Sequence, residues 1–570
     1  MNIHRTGLLF TLAIIIATLP ALPAGAGKRA GQENAPLPLP ALIHDGMTIN
    51  LLCGRTYTGP LNLIGKRNVQ VKTAGGCGKA SIAPGQPVMG WTHYRGKIFS
   101  APIGFAPVQV ALAGAPMALA HYPDAPLTWV KGKRRGPDRL QYRWPDSDLR
   151  GAALVFRAND WLIETRTIAG HDDGVIELAP KKGDAFDLNP ETEFYVEGKL
   201  WMLDHPGEWA VHKGRLYLWA PDGQSPEGRA WAAPRSAGID ASDSANITID
   251  GLRILSAVTG IDGSNSTNLQ VLNSDIHDSL EDGIFAGGSG LVVHNTTIVN
   301  SMQNGIHGYY GITRSVVSNS TIMNTGMTGM PKRSKGAIVF EDASGQRIVN
   351  NKIINSSYIA IRVHKNASVT GNVIDGACLR LTDCGGIYTF ARDRQPSNVR
   401  IEGNTIRNLA QRMAHAVYLD DYANGVLVRK NLIEHNPGGM QIHNGFDNVV
   451  TDNIFSSSAF EHVLFNETGA AASIRGNRFS GNTFVSASEE ATYRLWSTLG
   501  AAAVARFAQY NDNTYRTGKA AFAEVSGTGM ISYPAWQDRM KQDSRSLMQS
   551  KPSRPESKAR HKPRRAAPAE

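Results

Sequence analysis

The sequence predicts an all-β chain: a right-handed parallel β-helix, a solenoid, with a β-rich module inserted near its N-terminus. Three observations predict it. One phrase, a β-branched strand followed by Asn and then Ile or Phe, keeps returning from about Ala245 onward. A second phrase of alternating apolar and polar residues keeps pace with it. Glycine is abundant at 58 of 570 residues, while charged residues make up only 19% and apolar ones 42%, a balance that suits a turn-rich β protein.

The Asn phrase occurs at Asn295, Asn319, Asn351, Asn372, Asn404, Asn431, Asn453 and Asn477, with gaps of 24, 32, 21, 32, 27, 22 and 24 residues. A shortest unit of about 22 residues with irregular longer ones matches a β-solenoid coil whose turns accept insertions. Stacked coils bury Ile, Val and Leu as internal columns. Asn tolerates the left-handed backbone of a sharp corner, and a vertical Asn stack can pair amides from coil to coil. The asparagines therefore read as structural.

The elements follow in order. His4 and Arg5, the apolar run Leu8 to Leu19 and the small residues up to Ala26 read as a secretory signal over residues 1–26, so a secreted or periplasmic protein is expected. No later run is long and apolar enough to span a bilayer. Residues 27–90 read as an N-terminal cap and first coils. Residues 91–233, richer in Trp and Tyr and lacking the period, read as the inserted module, with Gly207–Trp219 as a hairpin. Residues 234–535 form the main helix. Residues 536–570 read as a basic disordered tail: from Lys541 onward nine Lys or Arg face three acids. It is suited either to solvent or to an anionic surface, and a nucleic-acid partner does not fit an exported chain. Four cysteines allow three pairings. The local one, Cys53 with Cys77 and Cys378 with Cys384, is favoured over a metal site because no Cys-x-x-Cys or His-Cys cluster is present. No cofactor or metal is expected, and a monomer is.

Strand alternation locates a candidate groove. In Ala416-Val-Tyr-Leu-Asp420, Val417 and Leu419 point inward, so Tyr418 and Asp420 point outward. The same register gives one outer column of His307, Val339, Arg362, Tyr388, Tyr418, Gln441 and Leu464. A second contains Tyr309, Glu341, His364, Phe390, Asp420, His443 and Asn466. Asp342, Arg392, Asp393, Asp421 and Glu467 lie just beyond the strand ends. Such a strip of polar and aromatic groups suits an extended sugar chain.

Gly385-Gly-Ile-Tyr-Thr-Phe390, Ala416-Val-Tyr-Leu-Asp-Asp421 and Gly439-Met-Gln-Ile-His-Asn444 resemble coils of the pectate-lyase-like β-helix superfamily. The nearest branch is that of β-helical glycoside hydrolases carrying an inserted β-sandwich-like module. Ala120-His-Tyr-Pro-Asp124 and Pro206-Gly-Glu-Trp209 resemble that branch too. The resemblance covers most of residues 41–480. It implies the fold and a polysaccharide or oligosaccharide substrate, but the superfamily also holds lyases and epimerases. The Asp-Pro-His motif of the alginate epimerase branch is absent.

Glycoside hydrolysis needs two carboxyl groups flanking the scissile bond. Asp420 is the expected nucleophile or base, with Asp393 or Asp421 as the acid. Glu341, three coils away at roughly 14 Å, would bind substrate. Arg362, His364, Tyr388, Arg392, Tyr418, Gln441 and His443 would orient hydroxyls. The bland alternative for any of these aspartates is the capping of a turn. Two other functions remain open: a metal-independent lyase using Arg362, His364, Tyr388 and Arg392 on a uronate, and a non-catalytic polymer binder.

Overall fold

A computed structural model describes residues 36–549, apart from 124–128, 145–146, 182, 184–185, 328–335, 470–472, 487–490 and 518–520. The expected secretory signal and the basic run Lys558–Arg565 lie outside the described residues. Each coil gives one strand to each of three long sheets, as in Thr248–Asp250, Leu252–Leu255 and Thr259–Gly263. The sheets hold 13, 15 and 14 strands among the described residues, parallel except for one pair ending the third. The chain is a right-handed parallel β-helix.

Register explains why this sequence winds so regularly. Ile249, Val271, Val293, Val317, Ile348 and Val369 stand in line in the first sheet. Ile254, Ile276, Ile298, Ile322, Ile353 and Ile374 do so in the second. All are fully buried, each worth about 1.5–3 kcal/mol against exposure. One left-handed residue makes the corner between these sheets: Gly251, Asn273, Asn295, Asn319, Asn350, Gly371 and Gly403 have φ between 49° and 69°, which only Gly and Asn adopt at low cost.

The recurring asparagines do two jobs, not one. Asn295 and Asn319 are left-handed corner residues. Asn351, Asn372, Asn404 and Asn431 sit one place later, buried, and each donates its backbone N–H and its Nδ2 to Oδ1 of the next asparagine, at 2.9–3.0 Å. Asn453, Asn482 and Asn513 continue this ladder. Asn477 belongs to a different ladder with Asn448, on the turn leading into the first sheet. Two adjacent positions both welcome Asn, as in Asn350-Asn351, so the phrase alone does not separate corner from stack.

Between the first coils and the main helix, strands from Gln86–Pro87 to Ala230–Ala233 form two further sheets. One has eight strands and includes the antiparallel hairpin Glu208–His212 and Arg215–Trp219. The other closes on itself, because Glu191–Glu197 pairs with both Val130–Gly136 and Ala153–Asn159. Leu154, Phe156, Phe194 and Met202 fill a core there. This region is pinned to the helix: the Thr382 N–H donates to the Asp160 carbonyl at 3.0 Å, and Arg157 to the Arg380 carbonyl at 2.9 Å.

Both disulfides, Cys53–Cys77 and Cys378–Cys384, are formed, and no described cysteine is free. The tail boundary at 536 needs correction. Tyr533–Met540 is a helix whose Trp536 is fully buried and stacks on Tyr493 at 5.0 Å. Its indole donates to Asp543 at 3.0 Å, Ser546 accepts from the Asn513 N–H at 2.9 Å, and Leu547–Gln549 pairs with Thr514–Arg516. Polar composition disguised a cap, since two aromatic residues and one buried carboxyl suffice to close the last coil.

Candidate active site in the third sheet

Upstream strands of the third sheet, such as Ile284–Ala286 and Ile306–Gly308, are three residues long. Five later ones lengthen to six or seven: Cys384–Phe390, Ala414–Asp420, Gly438–His443, Glu461–Glu467 and Ala491–Ser497. The longer strands carry a broad outer face, and the registers Arg362↔Tyr388↔Tyr418↔Gln441↔Leu464 and Phe390↔Asp420 run across it.

Asp420 is the centre of this face. Its Oδ2 accepts from the Tyr388 hydroxyl at 2.6 Å. Its Oδ1 lies 2.6 Å from Nδ1 of His443 and accepts from the Asp421 N–H at 2.8 Å. Burial opposes its charge, but the His443 and Tyr388 hydrogen bonds outweigh that and hold the carboxyl below its ordinary value. Burial likewise opposes charge on His443, and the Asp420 bond overrides it and raises the imidazole. His443 is fixed from behind by Thr468, 2.8 Å from Nε2, and Thr468 is itself tied to Asn444 through Nδ2 at 3.0 Å. The pair stays partly open, with side chains 20% and 15% exposed.

Alternation did not indicate Asp383. It ends the excursion closed by Cys378–Cys384, and its Oδ1 accepts from the Tyr418 hydroxyl at 3.1 Å. Tyr418 and Tyr388 meet edge-to-face at 5.3 Å, so the two aspartates are joined through a tyrosine pair. Burial, then the charge of Asp420, raise the Asp383 carboxyl above its ordinary value. Only the disulfide, by marking a tight return beside the Gly385-Gly386 strand, signals this residue in the sequence.

The other expected residues divide. Arg362 lies over the rings of Phe390 at 5.2 Å and Tyr388 at 5.9 Å, and His364 packs on Phe390 at 5.0 Å. Burial lowers His364. Arg392 donates to Asp421 at 2.7 Å. Asp393 is bound to Lys365 and accepts from the Gln395 N–H at 3.1 Å; the lysine holds it below its ordinary value. Those contacts are the ones expected of a carboxylate that anchors a turn. Gln441 is in register beside Tyr418 but buried. Glu341 lies apart, 3.7 Å from Nε2 of His307, whose Nδ1 is 2.9 Å from Asp282. Oxygen and nitrogen atoms of Asp420, Asp421 and His443 come within 4.8 Å of one another, the one described group that could hold a metal. Two of these groups, His443 and Asp420, are already in hydrogen-bond contact with each other at 2.6 Å.

The family described as the right handed beta helix region matches residues 259–408 and 336–494. No curated protein matches. Among solved structures, one titled glycoside hydrolase is 12% identical, with 76% of this chain and 89% of that chain covered and a TM-score of 0.55. A complex of XylC with xylose is 13% identical over 90% and 82%, with a TM-score of 0.45. The A-module of the Azotobacter vinelandii mannuronan C-5 epimerase AlgE4 is 13% identical over 56% and 85%, with a TM-score of 0.37. At such identities the likeness is one of fold. The chain has the pectate-lyase-like right-handed β-helix fold.

Proposed function

We propose that the chain is an exported glycoside hydrolase acting on a polysaccharide or oligosaccharide, with Asp420 as nucleophile or base and Asp383 as acid. The observation that carries this is the pair itself. Two partly exposed carboxyls are joined through Tyr388 and Tyr418, and their surroundings push them in opposite directions. Environments that keep one carboxyl ionised and its neighbour protonated are what acid–base division of labour requires. Asp421 and Asp393 are less suited to the acid role, since Arg392 and Lys365 compensate their charges. The glycoside hydrolase title of one structural neighbour agrees. Two disulfides accord with an oxidising compartment.

New reducing ends from a polysaccharide panel, lost in Asp420→Asn and Asp383→Asn, would support the reading. One observation favours a second: Arg362 makes no ion pair among the described residues, so it could neutralise a uronate carboxylate in metal-independent β-elimination. Ultraviolet absorbance of unsaturated uronate products would select that lyase. Retention of polymer with neither product would select a non-catalytic binder.

A further inference from the structure

Upstream of the reaction site, the same outer face carries a second group of aromatic side chains. Phe285 and His307 are register partners on adjacent strands, with rings 5.1 Å apart. The column runs on from His307 through Val339 and Arg362 to Tyr388. Beside it Tyr309 meets Phe285 at 5.6 Å and Tyr310 at 5.1 Å. Both tyrosines are open to solvent, at 49% and 57%. Phe455, Phe479 and Phe484, by contrast, lie inside the helix.

Adjacent exposed rings packed on a half-buried one need a reason, because water gives none. Polar acceptors border them. Glu341 is near His307, which Asp282 anchors from the other side. Burial opposes charge on His307, but its bonds to Asp282 and Glu341 override this and raise it to about 9. Tyr310 senses Glu341 first and Asp342 after it, with Arg362 opposing; the platform is thus within electrostatic reach of a residue over the reaction-site rings.

We propose that Phe285, Tyr309 and Tyr310 form a sugar-binding platform for a neutral polysaccharide, four to five coils from Asp420, so that the groove grips an extended chain rather than a disaccharide. Tyrosine offers a flat apolar face with a polar edge, which suits the C–H face of a pyranose. The Glu341 carboxylate is an acceptor for sugar hydroxyls. A uronate would set its own carboxylate against Glu341 and Asp342, so the platform selects against polyuronates. Coil spacing puts Tyr309 roughly 19 Å from Asp420, a span of several sugar units. That a chain held here also reaches Asp420 rests on the proposed hydrolase reading; the platform itself does not.

Binding without turnover separates the two. In an Asp420→Asn background, affinity electrophoresis through xylan, mannan, mixed-linkage β-glucan and polygalacturonate should retard the protein in at least one neutral polymer. Adding Tyr309→Ala and Tyr310→Ala should weaken that retardation tenfold or more, while Tyr309→Phe with Tyr310→Phe should retain most of it, because the rings remain. Tyr310→Ala alone, at the more exposed ring, gives the same direction if the double variant is poorly folded. Retardation by polygalacturonate only, or by none of the four, overturns the proposal, as does undiminished binding in a folded alanine variant. Hydrolysis failing while these results hold would overturn the proposed function alone.

Discussion

His443 and His415 lie on neighbouring strands, each within 3.0 Å of a carboxylate, yet their settings differ. His443 and Asp420 close the C-terminal ends of their strands, and both side chains keep some contact with solvent. His415 and Glu461 lie near the N-terminal ends, 3.0 Å apart, at 3% and 4% side-chain exposure. Gly438 is needed between them: a Cβ there would come 2.3 Å from Cδ2 of His415. Arg494 completes the sealed pair, 2.9 Å from Glu461. The same chemical couple thus appears once open to a ligand and once enclosed. What distinguishes a candidate catalytic pair is access and a second carboxyl nearby, not the pairing itself.

Breaking the enclosed pair should have the largest effect. Glu461→Ala strands a buried imidazole and leaves Arg494 without one partner, so a loss of about 3–5 kcal/mol in denaturant unfolding is expected. A stable Glu461→Ala protein with reduced turnover would reverse the assignment of roles.

Next comes Asp420→Asn. Turnover should fall at least ~100-fold, and stability by about 1–3 kcal/mol from the lost charged hydrogen bonds. The pair's stabilisation has a defined window. The part due to Asp420, lowered in the fold, disappears as pH falls through its folded value; the part due to His443, raised in the fold, disappears as pH rises through its own. Glu461→Ala, in the enclosed pair, should leave this window in place, which pH-dependent melting checks.

A finer test concerns Asp383. With Asp420 ionised and Asp383 protonated in the working form, kcat/KM should follow a bell whose acid limb lies below the ordinary carboxylate value and whose alkaline limb lies above it. Asp383→Asn should abolish the alkaline limb in whatever activity remains. An unchanged bell assigns that limb to another group.

The smallest effect should come from the chain end. Removing residues 550–570 should change stability by less than about 0.5 kcal/mol, while any adsorption to anionic surfaces through this basic segment should weaken with salt and vanish on truncation. A large drop in melting temperature would show that the segment packs.

Much of the third sheet was legible because parallel strands carry side chains outward every second residue. The column from His307 to Leu464 follows from that rule alone, and the registers agree with it pair by pair. Partners supplied across coils by turns were not legible. Lys365 reaches Asp393 from 28 residues away and gives a candidate acid a charged partner. Asp383 returns through a disulfide-closed excursion whose path no alternation specifies. Thr468 fixes His443 from 25 residues away. The cap was missed for another reason: Trp536 finds its neighbours at Tyr493, Tyr510 and Phe522, far apart in the chain and drawn together only by stacking.

That cap also bears on how molecules of this protein meet one another. A parallel sheet offers unpaired N–H and C=O groups along its last strand, an invitation to extension by another chain. Here Leu547–Gln549 covers the terminal strand of one sheet, Gly529–Ile531 turns back antiparallel along another, and Ser546 and Gln542 bond the Asn513 and Tyr510 N–H groups of the remaining coil edge. Loss of Trp536 would uncover three templates at once, and its consequence would be seen as concentration-dependent fibre growth before any change at the distant groove.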